Sequence, residues 1–298
     1  MTPSKTPVIC FGEVLWDKLP GGIMPGGAPM NVAVHLNQLG ISSAIISRVG
    51  KDEAGSDIVR YIDDKGVDTL YIQVDETYST GTVDADTSDP KDVKYTINAP
   101  VAWDFISEDA DVENAITGSQ VLLYGSLASR NKISAATLER LLKKAGYCVF
   151  DVNLRAPHYT RKGVEKLMEA AHMVKMNDAE LKLIASWYSA SPEVTQQMED
   201  ISRRFQLQTL CVTFGEQGAR LLENGHLYTH SGYAVDVADT IGSGDAFLAA
   251  LLTQRLGNRP PASRLRYACA VGAYVASQAG ATPVITEQAI NQILLNDL

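Results

Sequence analysis

The chain has 298 residues, 45% of them hydrophobic and 20% charged, and its 26 Lys+Arg against 35 Asp+Glu give a net charge of −9. That length buries a substantial core, in one large domain or two ordinary ones. With no basic block and no interleaving of arginine with aromatic residues, nucleic acid and anionic membranes are disfavoured as partners, so an anionic ligand must be held by local devices.

The opening "MTPSKTPVICFGE" lacks the charged start, long apolar segment and cleavage site of a signal peptide. No run approaches the ~20 apolar residues of a membrane span, and a cytoplasmic protein is expected. Cys10, Cys148, Cys211 and Cys269 are widely spaced, three of them inside apolar strand-like runs, with no CxxC or His/Cys pair beside them. Buried, reduced thiols are the reading that fits.

In chain order, "PVICFG" reads as the first of a series of strands buried on both faces. The next stretch, "FGEVLWDKLPGGIMPGGAPMNVAVHLNQLG", contains a glycine-rich turn feeding a helix, with Pro29 suited to the first helical turn and Gly40 to its end. Asp17, Gly26, Gly27 and Asn31 supply a carboxylate, close backbone and an amide, a set able to read neighbouring sugar hydroxyls. An ordinary turn and cap would use the same residues. Neither the GxGxxG nor the GxxxxGK[ST] spacing occurs, so this is neither a dinucleotide fingerprint nor a Walker A loop.

After the strand "SAIISRVG" the rhythm changes: residues 70–98 alternate apolar and polar positions, contain turn residues at "TSDPKD" and offer no helix. A small antiparallel sheet inserted into the body is predicted there. With "EVLWDKLPGGI" it would form a lid, residues 13–23 and 70–98, over a cleft at the carboxyl ends of the main strands. A sheet extension with no moving part is the plainer alternative.

Strand-like "QVLLYGS", "YCVFDVN", "HMVKMN" and "TLCVTFG" then alternate with helical patterns such as "NKISAATLERLLKKAG" and "NDAELKLIASWY". That alternation predicts an α/β fold, a doubly wound and mostly parallel sheet flanked by helices, with residues 1–298 as one domain and the lid inserted in it. Arg155, in "DVNLR", is expected at a strand end, its fork facing the cleft to hold a substrate oxygen or a phosphate, or else in a surface ion pair.

The segment "YAVDVADT" has strand alternation and "DAFLAALLTQRLG" reads as a buried helix, which makes Gly242, Ser243 and Gly244 a strand-to-helix turn. Unpaired amides at the positive end of a helix dipole, flanked by small residues, form an anion cradle. Asp245 falls in the first turn, where it can accept the proton of a hydroxyl attacking a phosphoryl group held by the cradle. Its plainer role is to complement the helix dipole.

The two glycine-rich segments resemble the two signature regions of the ribokinase-like (PfkB) sugar kinases, over nearly the whole chain. The resemblance implies ATP as phosphoryl donor, Asp245 as general base and the amides of Gly242, Ser243 and Gly244 as anion hole, with Asp17, Gly26, Gly27 and Asn31 on the sugar. "MNDAEL" resembles the family's NxxE motif, which would put Asn177 and Glu180 near Mg2+ and the ATP phosphates; a cap and a solvated helix glutamate are the alternative. "VTFGEQGA" resembles its nucleotide segment, placing Thr213, Gly215 and Gly218 near ATP, although the glycines would also shape a hairpin. "ASQAGAT" resembles the late loop around adenine and a monovalent cation such as K+, to which Asp239 and the Ile241 carbonyl would contribute. The common family form DTTGAGD is here DTIGSGD, with Ile241 and Ser243, and the ribokinase-type lysine of the sugar loop is replaced by "GGAPMN".

"GEVLWD", "GGAPMN", "NAPVAWD" and "DVNLR" look most like bacterial fructokinases within the family, which implies D-fructose as acceptor; separately, the alternating apolar residues and lone edge strands of the inserted sheet lead us to expect a homodimer made through the lids. Ribokinase and 2-keto-3-deoxygluconate kinase are the same-family alternatives. A non-catalytic sugar-binding regulator on this fold is the alternative of another class, against which the retained Asp245 speaks.

Overall fold

The computed structural model describes residues 6–19, 22–86, 94–189 and 191–295. The chain runs through β1 (Val8–Phe11), β2 (Leu15–Leu19), β3 (Gly22–Gly26), α1 (Ala28–Gln38), β4 (Ser43–Gly50), α2 (Glu53–Asp64), β5 (Ile72–Asp75), β6 (Gly81–Asp86) and β7 (Lys94–Ile97). It continues with α3 (Ala110–Gly118), β8 (Val121–Gly125), α4 (Lys132–Leu142), β9 (Cys148–Asp151), α5 (Arg161–Glu169), β10 (Met173–Asn177), α6 (Asp178–Ala185) and α7 (Val194–Phe205). The last elements are β11 (Thr209–Thr213), β12 (Ala219–Glu223), β13 (His226–His230), α8 (Ser243–Leu256), α9 (Pro261–Ala276) and α10 (Glu287–Leu295).

Nine strands form the large sheet in the order β13-β12-β11-β10-β9-β8-β1-β4-β5, parallel except for β12 and β13. Every residue of β1, β8 and β9 is buried, as expected of strands covered by helices on both faces. One apolar core gathers β-strand residues with α1, α2, α8 and α9; a second, on the opposite face, gathers α3 to α7. The strand order reverses between β8 and β1, and the loops at the carboxyl ends there open the crevice in which sheets of this kind hold ligands. All four cysteines are buried. Among the described residues no helix is long and apolar enough to cross a membrane.

The second sheet, β3-β2-β6-β7, joins two antiparallel hairpins through a parallel pairing of β2 with β6. Among its ties to the body, the Trp16 indole donates to the Ala54 carbonyl at 2.9 Å, and Asp52, which caps α2 through Gly55 N, also accepts from the amide and hydroxyl of Thr80 at 2.9 and 2.6 Å. Only the later part of residues 70–98 belongs to it. β5 instead extends the large sheet beside β4, held by an Arg48–Asp75 ion pair of 2.6 Å whose carboxylate also caps the turn at Thr77 and Tyr78. The turn expected at "TSDPKD" lies outside the described residues.

A second difference concerns "YAVDVADT", where no strand forms. Among the described residues it joins no β-ladder; the amides of Ala238 and Asp239 both donate to the Ala276 carbonyl at the end of α9. Tyr233, Ala234, Val235 and Val237 line one wall of a cleft. α8 follows with seven consecutive buried residues, Ala246–Leu252, so it is apolar all round and fixed among its neighbours. Whatever stands in its first turn is held rigidly.

Candidate active site

Gly242 caps α8 with φ of 77°, a left-handed conformation that favours glycine, and a Cβ there would overlap the Ala281 carbonyl. Among the described residues the amides of Gly242, Gly244 and Asp245 have no acceptor, while Ser243 N makes only a 3.3 Å contact with Thr240 O. Free donors at a helix start form the concavity that an oxyanion or phosphate fits. Ser243 and Gly244 border a cleft of about 690 Å3 whose other walls include Thr213, Gly215, Gly218, Val237 and Phe247. Gly215 and Gly218 line that cleft and make the β11–β12 turn, where a Cβ on Gly218 would overlap the His230 carbonyl.

Asp245 looks to the other side. Asn31 Nδ2, from the first half of α1, donates to Asp245 Oδ2 at 2.9 Å, so the two glycine-rich segments, 214 residues apart, meet at the proposed base. Burial raises the Asp245 carboxyl to about 6, helped by the Asp151 charge and opposed by Lys175, the Asn31 hydrogen bond and Arg155. Beside Asn31 stand Asp17 on β2, Gly26 at the end of β3 and Gly27 at the cap of α1. A Cβ on Gly26 would overlap the Asp17 carboxylate and one on Gly27 the Glu13 carbonyl, so both glycines are required by close approach. Burial holds Asp17 up at about 6, with Arg155 opposing.

Arg155 is exposed on the loop after β9, its Nη1 donating only to its own loop, at Leu154 O. The surface ion pair does not form among the described residues. Instead its charge acts on three carboxyls at once, lowering Glu13, Asp17 and Asp245. An unpaired guanidinium facing three acids is free to take a ligand oxygen.

Three groups went unread in the sequence. Lys175, on β10, is buried and pairs with Asp151 of β9 at 3.1 Å; a Cβ on Gly244 would lie 3.1 Å from its Nζ, which puts this cation directly behind the cradle. Burial works against its charge, but Asp151, Asp245 and Glu180 outweigh that and hold its pKa above the ordinary value. Glu13 is also buried, and burial first, then the Asp245 charge, raise it to about 7 against the amides of Glu13 and Ala28 and the Arg155 charge. His35 is fully buried one turn along α1 from Asn31. A lysine inside the apolar run "HMVKMN" was the available signal for the first, because a buried cation requires a partner.

Asn177 and Glu180 form a capping box: Glu180 N donates to Asn177 Oδ1 at 2.8 Å and Asn177 N to Glu180 Oε2 at 2.9 Å. Glu180 is buried rather than solvated, and its Oε1 also accepts from Leu154 N at 2.8 Å, joining the NxxE turn to the loop that carries Arg155. Asp239 braces the cradle loop, accepting from Ile241 N at 2.9 Å and Gly280 N at 3.3 Å. Among the described residues no three metal-ligating side chains cluster. A magnesium here would therefore arrive on nucleotide phosphates and keep several of its waters.

The profile of the pfkB family of carbohydrate kinases matches residues 21–288. Over 259 residues the chain is 31% identical to a fructokinase of Escherichia coli, covering 82% of each chain. It is 32% identical over 242 residues to a putative sugar kinase of Pyrococcus horikoshii, covering 76% of this chain and 72% of that one. A fructokinase of Vibrio cholerae O395, solved with fructose, ADP and calcium bound, superposes with a TM-score of 0.82 at 26% identity, covering 97% and 99% of the two chains.

Proposed function

Because this chain belongs to the pfkB family of carbohydrate kinases, we propose that the sugar it phosphorylates is D-fructose, taken with ATP to fructose 6-phosphate and ADP. The observation that carries the reading is the 2.9 Å hydrogen bond from Asn31 to Asp245, which brings a hydroxyl-reading loop to a carboxylate standing directly behind free amides. In this reading Asp17, Gly26, Gly27, Asn31 and Arg155 hold the sugar. Thr213, Gly215 and Gly218 border the nucleotide, and Asn177 and Glu180 stand on the metal side of its phosphates. Asp245 takes the proton of the attacking hydroxyl while the amides of Gly242 to Asp245 receive the transferred group's charge. Magnesium on the nucleotide would supply further neutralisation of the phosphate oxygens. Potassium would sit by Asp239 and Ile241. Lys175, behind Gly244, favours the ionised form of Asp245 and adds positive potential beneath the cradle.

The fructose bound in the Vibrio cholerae fructokinase structure and the fructokinase name of the Escherichia coli relative support the choice of acceptor. We further read residues 1–298 as one cytoplasmic catalytic domain, with 13–23 and the later part of 70–98, from β6 onward, as its lid and a homodimer built through lid sheets. The test is Asp245→Asn with ADP release measured over fructose, ribose, mannose and 2-keto-3-deoxygluconate. Fructose should be the best acceptor, and the variant should stay folded while kcat falls on the order of 10²–10⁴. A folded variant with wild-type turnover would refute the base assignment; a better kcat/KM on another sugar would refute the acceptor.

A further inference from the structure

We propose that His35 is a positioning residue for phosphoryl transfer, holding the late loop, residues 277–285, against Gly242 so that the phosphate cradle is fixed from the sugar-binding helix. The inference rests on the proposed role of Gly242 to Asp245 in receiving the transferred group. His35 Nε2 lies 2.9 Å from Ala281 O, 246 residues away and fully buried. A carbonyl only accepts, so Nε2 carries the hydrogen and donates, which fixes the tautomer and leaves Nδ1 bare. Nδ1 has no partner among the described residues. An apolar side chain would fill this site without burying an unpaired nitrogen, so the imidazole's specific contribution is the single hydrogen bond to the loop.

That bond reaches the chemistry through one contact. The Ala281 carbonyl and Cα occupy the space where a side chain on Gly242 would project, so the place of the cradle's first residue is set by where Ala281 stands. Two neighbouring bonds follow the same pattern: the Tyr61 hydroxyl lies 2.6 Å from Thr282 Oγ1, and Ile285 N donates to Gln38 Oε1 at 2.7 Å. The late loop is therefore strapped at Ala281, Thr282 and Ile285 to α1 and α2. α1 begins at the sugar loop and carries Asn31, which touches Asp245. One helix thus orients the base through Asn31 and, one turn later, the amide cradle through His35. Misplacement of reacting groups by about 1 Å costs on the order of 10²-fold in rate, so a single strap at this point carries catalytic weight without touching substrate.

The test compares His35→Leu, which fills the space without a donor, with His35→Gln, whose amide N–H reaches toward the same carbonyl, and with Tyr61→Phe, a half-buried change that removes the next bond of the strap. Steady-state kinetics in both substrates are measured beside thermal melts of each protein. His35→Leu should lower kcat on the order of 10–10²-fold and raise KM for ATP while KM for the sugar stays near wild type. His35→Gln should recover most of the loss, and Tyr61→Phe should give a smaller fall in the same direction. A folded His35→Leu enzyme with wild-type kcat overturns the proposal, as does a loss that His35→Gln fails to recover or that falls equally on sugar KM. If His35→Leu does not fold, unchanged kcat and ATP KM in Tyr61→Phe overturn it. Asp245→Asn in the same series separates the two levels: inactive Asp245→Asn beside unaltered strap variants removes only the strap, whereas active Asp245→Asn removes the reading of the cradle as well.

Discussion

Replacing Lys175 by Met should move the acid limb of the pH–rate profile upward. Asp245 has a carboxyl raised to about 6 by burial and by Asp151, with Lys175 foremost among the groups opposing the rise. As a base it must be ionised, so kcat/KM should fall about tenfold per pH unit below that value. Met fills the lysine's apolar volume but leaves the Asp151 carboxylate, formerly 3.1 Å from Nζ, uncompensated on the same side of the cradle. A limb displaced by about one unit corresponds to about 1.4 kcal/mol of lost preference for the ionised base. Breaking the buried pair should also destabilise the fold by about 3–5 kcal/mol, whereas the double variant Lys175→Met/Asp151→Asn removes both charges and should recover most of that stability. The double variant also deletes the second largest cause of the Asp245 rise, so its limb should return toward the wild-type position. Direct measurement of ADP formation at subsaturating sugar, with melts on the same samples, reads both effects. A limb at the same pH in all three proteins would refute the electrostatic role given to Lys175, and so would a limb displaced downward.

Asp245→Asn should stabilise the fold at high pH: a folded carboxyl at about 6 against an unfolded value of 3.8 makes Asp245 favourable to folding below the lower value and costly as pH rises through the upper. The gain at pH 8 is up to about 3 kcal/mol and disappears near pH 4, so equal melting shifts at both pH values would contradict it. Arg155→Leu should raise Glu13, Asp17 and Asp245 together and move the same acid limb upward, while Arg155→Lys keeps the charge but loses the fork and should mainly raise sugar KM; unchanged kinetics in both would return Arg155 to a surface role. Ile23 and Met24 on β3 are 63% and 45% exposed, an apolar edge that a lid-to-lid dimer would cover, so Ile23→Glu should shift the protein to monomer in light scattering. A wild-type monomer at micromolar concentration would end that assembly.

What the sequence disclosed and what it withheld follow from the range over which each signal acts. The strands of the large sheet are buried on both faces, so each announces itself as an apolar run, and the two glycine-rich turns are legible because close approach leaves glycine no substitute at Gly26, Gly27 or Gly242. "YAVDVADT" misled because alternation is a local pattern that does not contain the sheet partner a strand requires, and here the segment borders a cleft instead. β5 was assigned to the wrong sheet for a related reason: its place is decided by β4 and the Arg48–Asp75 pair, which local pattern does not contain. The electrostatic half of the site is set by pairs of distant residues. Lys175 and Asp151 are each unremarkable alone, and only their meeting behind Gly244 turns two buried charges into a means of setting the ionisation of Asp245. The same holds for His35, an ordinary helix residue until the loop 246 residues later brings the Ala281 carbonyl to it. Residues that must be small or apolar declare themselves locally; residues that act through a partner wait for the fold to supply one.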